Sequence, residues 1–202
     1  MYTSNSTART PSVEENPTIA GDLSAADRSA LLALARCAIE AGLAGRAAPR
    51  IPDLPAARER RGAFVSLHEA GGDLRGCIGH VMGDRPLGEV IRQVAVSAAQ
   101  SDPRFAPVTP DELPGLHIEI SVLSELTRVE TADLCRLTMG RDGVMVRRGR
   151  CHAVLLPQVA TEHGFGVEAF LSAVCCKAGL SAGSWREPAT EVFTFTADVF
   201  VE

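Results

Sequence analysis

Apolar residues recur at helical spacing in three segments of the chain. A stripe over residues 31–39 follows the sequence Ser-Ala-Ala-Asp at 24–27, a pattern typical of a helix N-terminal capping box. A second stripe runs from 87 to 98 behind Pro86, and a third covers 170–178. The chain is therefore predicted to contain at least three amphipathic helices.

Other segments alternate apolar and polar residues, as half-buried strands do. Residues 64–68 and 74–81 flank the turn residues 71–73, and residues 143–146 and 153–156 flank a second turn at 148–150. Single strands are predicted at 117–123 and 192–201. Because hairpins dominate and strict β-α-β alternation is absent, we expect an α+β fold with a mixed or antiparallel sheet and packed helices.

Length and composition fit a soluble globular protein of one domain or two small lobes. The chain has 202 residues, of which 46% are hydrophobic. Residues 1–22 are rich in Ser, Thr, Pro and Asn and are predicted to form a disordered tail ahead of a domain at 23–202. No segment resembles a membrane span or a signal peptide, so we expect a cytoplasmic protein.

The net charge of −5 argues against nucleic-acid binding. Two basic clusters, at 58–61 and 147–150, are interpreted as a solvated loop and a hairpin tip. RNA or nucleotide binding is kept as a third functional alternative, and it would use the arginines of these clusters: Arg58, Arg60, Arg61, Arg147, Arg148 and Arg150.

The six cysteines do not form a C-x-x-C pair, so we expect no structural zinc and no other metal or cofactor. Three of them, Cys37, Cys175 and Cys176, lie in predicted helices and are expected to be small buried hydrophobes.

The sequence LRGCIGH at 74–80 places Cys77 between Gly76 and Gly79. Glycines inside a strand allow another backbone or a ligand to approach closely, and both are expected to do so here. Arg75 and Cys77 share one face of a regular strand, where a guanidinium would favour the reactive thiolate. We therefore predict a catalytic Cys77 assisted by Arg75, with His68, or else His117, as its base.

The alternative reading makes Cys77 a packing residue under the helix that begins at Pro86. Arg75 would then pair with a carboxylate, and Asp102 and Glu119 are the available partners. His80 points away from Cys77 in a regular strand and is the weaker base.

Further polar residues are candidates for substrate binding. Arg104 follows Asp102 and Pro103 at the end of a helix, where it could bind an anion or pair with Asp102. His117, Glu119 and Ser121 lie on one face of a strand, which could hold a metal but is more simply a solvated face. The predicted binding residues are Gly76, Gly79, Asp102, Arg104, His117, Glu119 and Gln158.

An ordered set of motifs across residues 23–202 resembles the AMMECR domain. The motifs are LRGCIG at 74–79, RPL at 85–87, DPRF at 102–105 with Pro107, EISVL at 119–123, DG at 142–143, LPQVA at 156–160, KAGL at 177–180 and Trp185. The resemblance implies an α+β fold of two unequal lobes, with LRGCIG near the groove between them. Microbial members resemble protein A of the AmmeMemoRadiSam set, which implies a Memo-like protein and a radical SAM protein as partners.

The resemblance assigns no reaction, so two functional hypotheses stand. In the first hypothesis, the chain is an enzyme or enzyme subunit that acts through the groove around Cys77 on a small molecule or a modified peptide. Alternatively, it is a non-catalytic interaction or scaffold module that presents the groove to a partner.

Overall fold

A computed structural model describes residues 23–202. Five α-helices lie in this part of the chain: α1 (Ala25–Leu43), α2 (Pro55–Arg58), α3 (Leu87–Gln100), α4 (Pro157–Glu162) and α5 (Val167–Lys177). Short 3₁₀ helices occupy Leu113–Gly115, Thr131–Arg136 and Ser184–Arg186. The predicted tail at 1–22 lies outside the described residues.

Eight strands form two four-stranded antiparallel sheets. The strands are β1 (Ala63–His68), β2 (Leu74–His80), β3 (His117–Leu123), β4 (Thr127–Val129), β5 (Gly143–Arg148), β6 (Cys151–Leu155), β7 (Glu191–Phe195) and β8 (Ala197–Val201). The first sheet has the order β2-β1-β3-β8 and the second β4-β7-β5-β6. The predicted α+β class and both predicted hairpins are confirmed.

The first lobe packs α1 and α3 against one face of the first sheet. The apolar stripe of α1 is buried as the periodicity requires, and its N-terminus carries the predicted capping box between Ser24 and Asp27. Val65, Ile118 and Ile120 supply the sheet side of this core, each fully buried. The opposite face of the sheet is left to meet the second lobe.

In the second lobe, apolar residues cover both faces of the sheet. Val144 and Val146 contact the buried stripe of α5, whereas the alternate residue Met145 packs in a separate cluster with Leu123 of the first sheet. The two sheets thus lie between outer helices, and the apolar cluster that contains Met145 and Leu123 joins the lobes.

The chain passes between the lobes twice. The segment predicted as one strand at 192–201 is two strands, β7 in the second sheet and β8 in the first, and that prediction is wrong. The apolar alternation continues through the crossing, but the hydrogen-bond partner changes at Thr196. There Ser124 and Thr196 hydrogen-bond to each other, with both N···O distances 2.9 Å.

Gly76 lets α3 approach β2 closely. A Cβ at this position would lie 2.3 Å from the backbone oxygen of Ala98. A Cβ on Gly79 would lie 2.2 Å from the ring of Phe64, on the opposite face of the strand. The expectation that these two glycines allow close approach is confirmed, and the groups that approach them are a helix backbone and a side chain of the protein itself.

Candidate functional site

Cys77 lies on β2, the edge strand of the first sheet, and the loop after α3 covers its outward backbone groups. Its N–H donates to Asp102 Oδ2 at 2.8 Å, and its carbonyl accepts from Arg104 at 3.3 Å. Arg104 also forms a two-pronged ion pair with Asp102, at 3.0 and 2.7 Å. The Asp-Pro-Arg turn therefore fixes the position of Cys77 at the open edge.

The thiol of Cys77 accepts a hydrogen bond from the hydroxyl of Ser66, with Oγ and Sγ 3.2 Å apart. Ser66 and Cys77 are cross-strand neighbours, and the backbone groups of Cys77 point away from β1 toward Asp102 and Arg104. They therefore form a non-hydrogen-bonded pair, whose side chains lie closest in an antiparallel sheet. A buried hydroxyl beside sulfur stabilises a thiolate.

Cys77 and Ser66 begin a row of cross-strand neighbours. On the other side of Ser66, its partner on β3 is Glu119. Gln158, at the start of α4 in the second lobe, donates to Glu119 Oε1 and to Ser121 Oγ, both at 3.4 Å. Glu119 is half-buried and Ser121 is only 1% exposed. The expectation of a solvated strand face is wrong for Ser121, which the second lobe covers, whereas His117 at the start of the strand is exposed.

Lys177, the last residue of α5, brings a second cation to the same place. Its Nζ donates to the backbone oxygen of Val154 at 2.9 Å in a partly buried hydrogen bond, while the residue as a whole is exposed. The ammonium group interacts electrostatically with the Cys77 thiol and with Arg104. We call this set the interlobe face: Ser66, Cys77, Glu119 and Ser121 from the first sheet, with Gln158 and Lys177 from the second lobe.

Burial and charge act in opposite directions on the two titratable groups at the centre of the interlobe face. Burial raises the pKa of the Cys77 thiol, and this outweighs the lowering by the Ser66 hydrogen bond and by the Arg104 and Lys177 charges. Burial also lowers the pKa of Lys177. Arg104 holds the pKa of Asp102 far below its ordinary range through their hydrogen bonds. The resting site therefore favours a protonated thiol beside an amine that loses its proton more readily than usual.

Arg75 does not serve as the cation of the thiol. Its guanidinium donates to Glu112 at 3.1 and 3.2 Å and to the backbone oxygen of Ala106 at 2.8 Å. Neither Asp102 nor Glu119, the predicted partners, pairs with it. The pairing of β1 and β2 shifts register beside Arg75, and the loop carrying Glu112 takes its charge. Arg104 is instead the arginine that interacts with the thiol.

The packing alternative placed Cys77 under the helix after Pro86, and this placement is wrong. Gly76 faces α3, whereas Cys77 faces the second lobe. The thiol is half-buried.

His68, His80 and His117 lie on strands of the first sheet, and none of them hydrogen-bonds to the sulfur among the described residues. His68 is paired with His117 across the strands, and its Nδ1 lies 3.3 Å from Gly72 O. Its Nε2 is buried and has no hydrogen-bond partner in the described chain. The role of His68 as base stays a prediction, and no hydrogen bond joins it to Cys77 in the described residues. His80 contacts Asp84 at 2.6 Å, away from the thiol.

Two members of the interlobe face were missed by sequence reasoning, Ser66 and Lys177. Ser66 carries no local signal, because its role depends on pairing with Cys77. Lys177 does carry one: it is the only lysine among the twenty Lys and Arg residues of the chain. Arginine stays charged at all accessible pH values, whereas a lysine can accept and release a proton.

Comparison with known proteins shows which family the chain belongs to. A family model described as AMMECR1 matches residues 32–200. The chain belongs to the AMMECR1 family. A protein of Methanothermobacter thermautotrophicus is 47% identical over 178 residues, covering 85% of this chain and 92% of that protein. Protein MJ0810 of Methanocaldococcus jannaschii is 39% identical, covering 83% and 86% of the two chains.

A solved structure has the same fold. The crystal structure of uncharacterized protein PH0010 from Pyrococcus horikoshii matches with a TM-score of 0.81 at 38% identity, covering 85% of this chain and 89% of that one. The family resemblance inferred from the motifs is therefore confirmed, while these AMMECR1 relatives carry no assigned reaction.

The remaining predicted features lie apart from the interlobe face. Four arginines of the basic clusters pair with carboxylates: Arg58 with Asp53, Arg61 with Glu59, Arg147 with Glu191 and Arg148 with Glu187.

Residues 23–202 contain no group of His, Cys, Asp and Glu side chains arranged to hold a metal ion. No helix within these residues is long and apolar enough to cross a membrane.

The expected burial of three cysteines holds for one. Cys175 is buried, whereas Cys37 and Cys176 are exposed. Their helices have one apolar face each, and these two residues fall on the other side.

Proposed function

We propose that this AMMECR1-family protein is an enzyme that uses Cys77 as a nucleophile on the interlobe face. One observation carries the proposal: the sulfur accepts a hydrogen bond from Ser66 and feels the positive charges of both Lys177 and Arg104. A hydroxyl donor and two cations around one thiol favour its reactive anionic form once a base removes the proton.

Lys177 is the proposed base. In its neutral form the amine takes the proton of the Cys77 thiol, which leaves a thiolate beside an ammonium group. The thiolate then forms a bond to a carbonyl carbon of the substrate, and the π electrons of the carbonyl move to its oxygen. The cations of Arg104 and Lys177 stabilise that negative oxygen, and the ammonium can return a proton to it.

The partners are proposed from the family resemblance alone. A Memo-like protein and a radical SAM protein would supply or consume the molecule that reacts at Cys77. Size-exclusion chromatography of the purified proteins, alone and mixed, tests this proposal. We expect a co-eluting complex that survives Cys77→Ser, and separate elution of all components would contradict it.

The reactivity of the Cys77 thiol tests whether this residue is a nucleophile. Replacing Cys37, Cys135, Cys151 and Cys176 by Ser removes the exposed thiols and leaves Cys77 and the buried Cys175. The rate of Cys77 alkylation by iodoacetamide is then measured against pH, with mass spectrometry to locate the label. We expect Lys177→Met to lower the rate at pH 8, because loss of the ammonium charge raises the pKa of the Cys77 thiol further.

The scaffold alternative predicts a different pattern. If Cys77 is not alkylated under native conditions, or if its rate is the same with and without Lys177, the nucleophile proposal fails. Cys77→Ser should abolish turnover and leave the melting temperature almost unchanged. A large loss of stability in that variant would instead assign Cys77 a packing role.

A further inference from the structure

Two charges of opposite sign on the interlobe face, on the half-buried Glu119 and on Lys177, have no ion-pair partner in the described part of the chain. Glu119 is contacted only by the amide of Gln158, and Lys177 only by a backbone oxygen. Other charged residues near the site, Arg75, Asp102 and Arg104, are neutralised by partners. Removing a charge from water without pairing it costs free energy, so the half-buried Glu119 is poised to be compensated by a ligand, and the exposed Lys177 is accessible to the same ligand.

These two charges lie at opposite ends of the row Cys77–Ser66–Glu119. The row crosses two strand spacings, which places the Cα atoms of Cys77 and Glu119 on the order of 10 Å apart. Lys177 interacts with Cys77 and Arg104 and lies at the sulfur end. A ligand along the row would therefore meet positive charge at one end and negative charge at the other.

Groups beside Glu119 add to this chemistry. The Oε1 atom of Gln158 is buried and has no hydrogen-bond donor among the described residues. Val201, the neighbour of Glu119 on β8, is 60% exposed, and Val199 is 41% exposed. Hydrogen-bond acceptors next to an apolar edge suit an ammonium group on a short aliphatic chain.

We propose that the interlobe face binds a zwitterionic molecule of the amino-acid or short-peptide class, with its ammonium group on Glu119 and its carboxyl end between Lys177 and Cys77. This inference rests on the proposed function for the role of the carboxyl end at Cys77. The recognition itself requires only the two charges.

Binding of 6-aminohexanoate, measured by chemical-shift changes in the ¹⁵N-labelled protein, tests the proposal, with hexanoate and hexylamine as singly charged controls. We expect 6-aminohexanoate to bind at least about tenfold more tightly than either control. Glu119→Gln should remove its advantage over hexanoate, and Lys177→Met its advantage over hexylamine. The matched control is Glu125→Gln, at an exposed carboxylate outside the face, which should leave all three affinities unchanged.

Equal binding of the three compounds, or the same loss in Glu119→Gln and Glu125→Gln, would overturn the zwitterion proposal. Two variants separate this failure from failure of the nucleophile. Lys177→Arg keeps the charge but not a removable proton, so it should preserve 6-aminohexanoate binding and reduce Cys77 alkylation. Cys77→Ser should also preserve binding, within about threefold.

Discussion

Gly76→Ala tests how the fold places Cys77, because the added methyl group would meet backbone rather than a movable side chain. The new Cβ would lie 2.3 Å from the oxygen of Ala98. A carbon normally approaches a carbonyl oxygen no closer than about 3.3 Å, so β2 and α3 must separate by about 1 Å. Gly76 is buried and α3 packs in the core, so the separation disturbs packing on both sides.

Overpacking of this kind costs about 1–3 kcal/mol, and a backbone clash belongs at the upper end. For a domain of this size, about 3 kcal/mol corresponds to a melting temperature lowered by about 6–12 °C. Urea unfolding followed by circular dichroism measures the free energy directly. The same shift would move β2 away from Ser66, so we also expect slower alkylation of Cys77 in this variant.

Gly71→Ala is the matched control, because a Cβ there meets open space and its backbone does not require a positive φ. It should be neutral or slightly stabilising, within about 1 kcal/mol. The reasoning fails if Gly76→Ala unfolds at the same urea concentration as the wild type, or if Gly71→Ala is equally destabilised.

Three further predictions concern the neighbours of Cys77. Ser66→Ala removes the hydroxyl donor to the sulfur and should raise the pKa of Cys77 further, seen as a higher midpoint in the alkylation profile. An unchanged midpoint would exclude that donor. Asp102→Asn should cost about 2 kcal/mol of stability at neutral pH. Because the pKa of Asp102 is lowered in the folded state, the difference should stay constant down to about pH 4 and shrink below it, and a pH-independent difference would contradict the ion pair. Gly79→Ala should be destabilising and be partly rescued by Phe64→Leu, which withdraws the ring that the new Cβ meets; no rescue would show that the backbone is at fault.

Most helices and hairpins could be predicted because the sequence signals that define them come from neighbouring residues. The helical stripes at 31–39 and 87–98 and the hairpin around Gly71 depend on neighbouring residues only, and each is present. The strand at 192–201 was merged because alternation persists across Thr196 while the pairing partner changes. A change of partner leaves no mark in the apolar pattern.

The site was predicted less completely, since its contacts join distant parts of the chain. Strand parity set Arg75 and Cys77 on one face, but the pairing of β1 and β2 shifts register beside Arg75, and Arg75 turns to Glu112. The cations at the thiol come from Arg104 and Lys177, and Lys177 lies one hundred residues further along the chain. The sequence shows that Lys177 is the only lysine of the chain, but only the fold shows that it interacts with Cys77.

Titration of Lys177 tests the account of the Cys77 nucleophile most directly, and the sequence makes it simple. Protein grown with [ε-¹³C]lysine carries the label at one residue, because Lys177 is the only lysine of the chain. Its ¹³C shift is followed against pH in the wild type and in Cys77→Ser. We predict a pKa below the ordinary value of about 10.4 that falls further in Cys77→Ser, since the thiolate no longer favours the ammonium form. An ordinary pKa that does not respond to Cys77→Ser would contradict the pairing of this amine with the thiol.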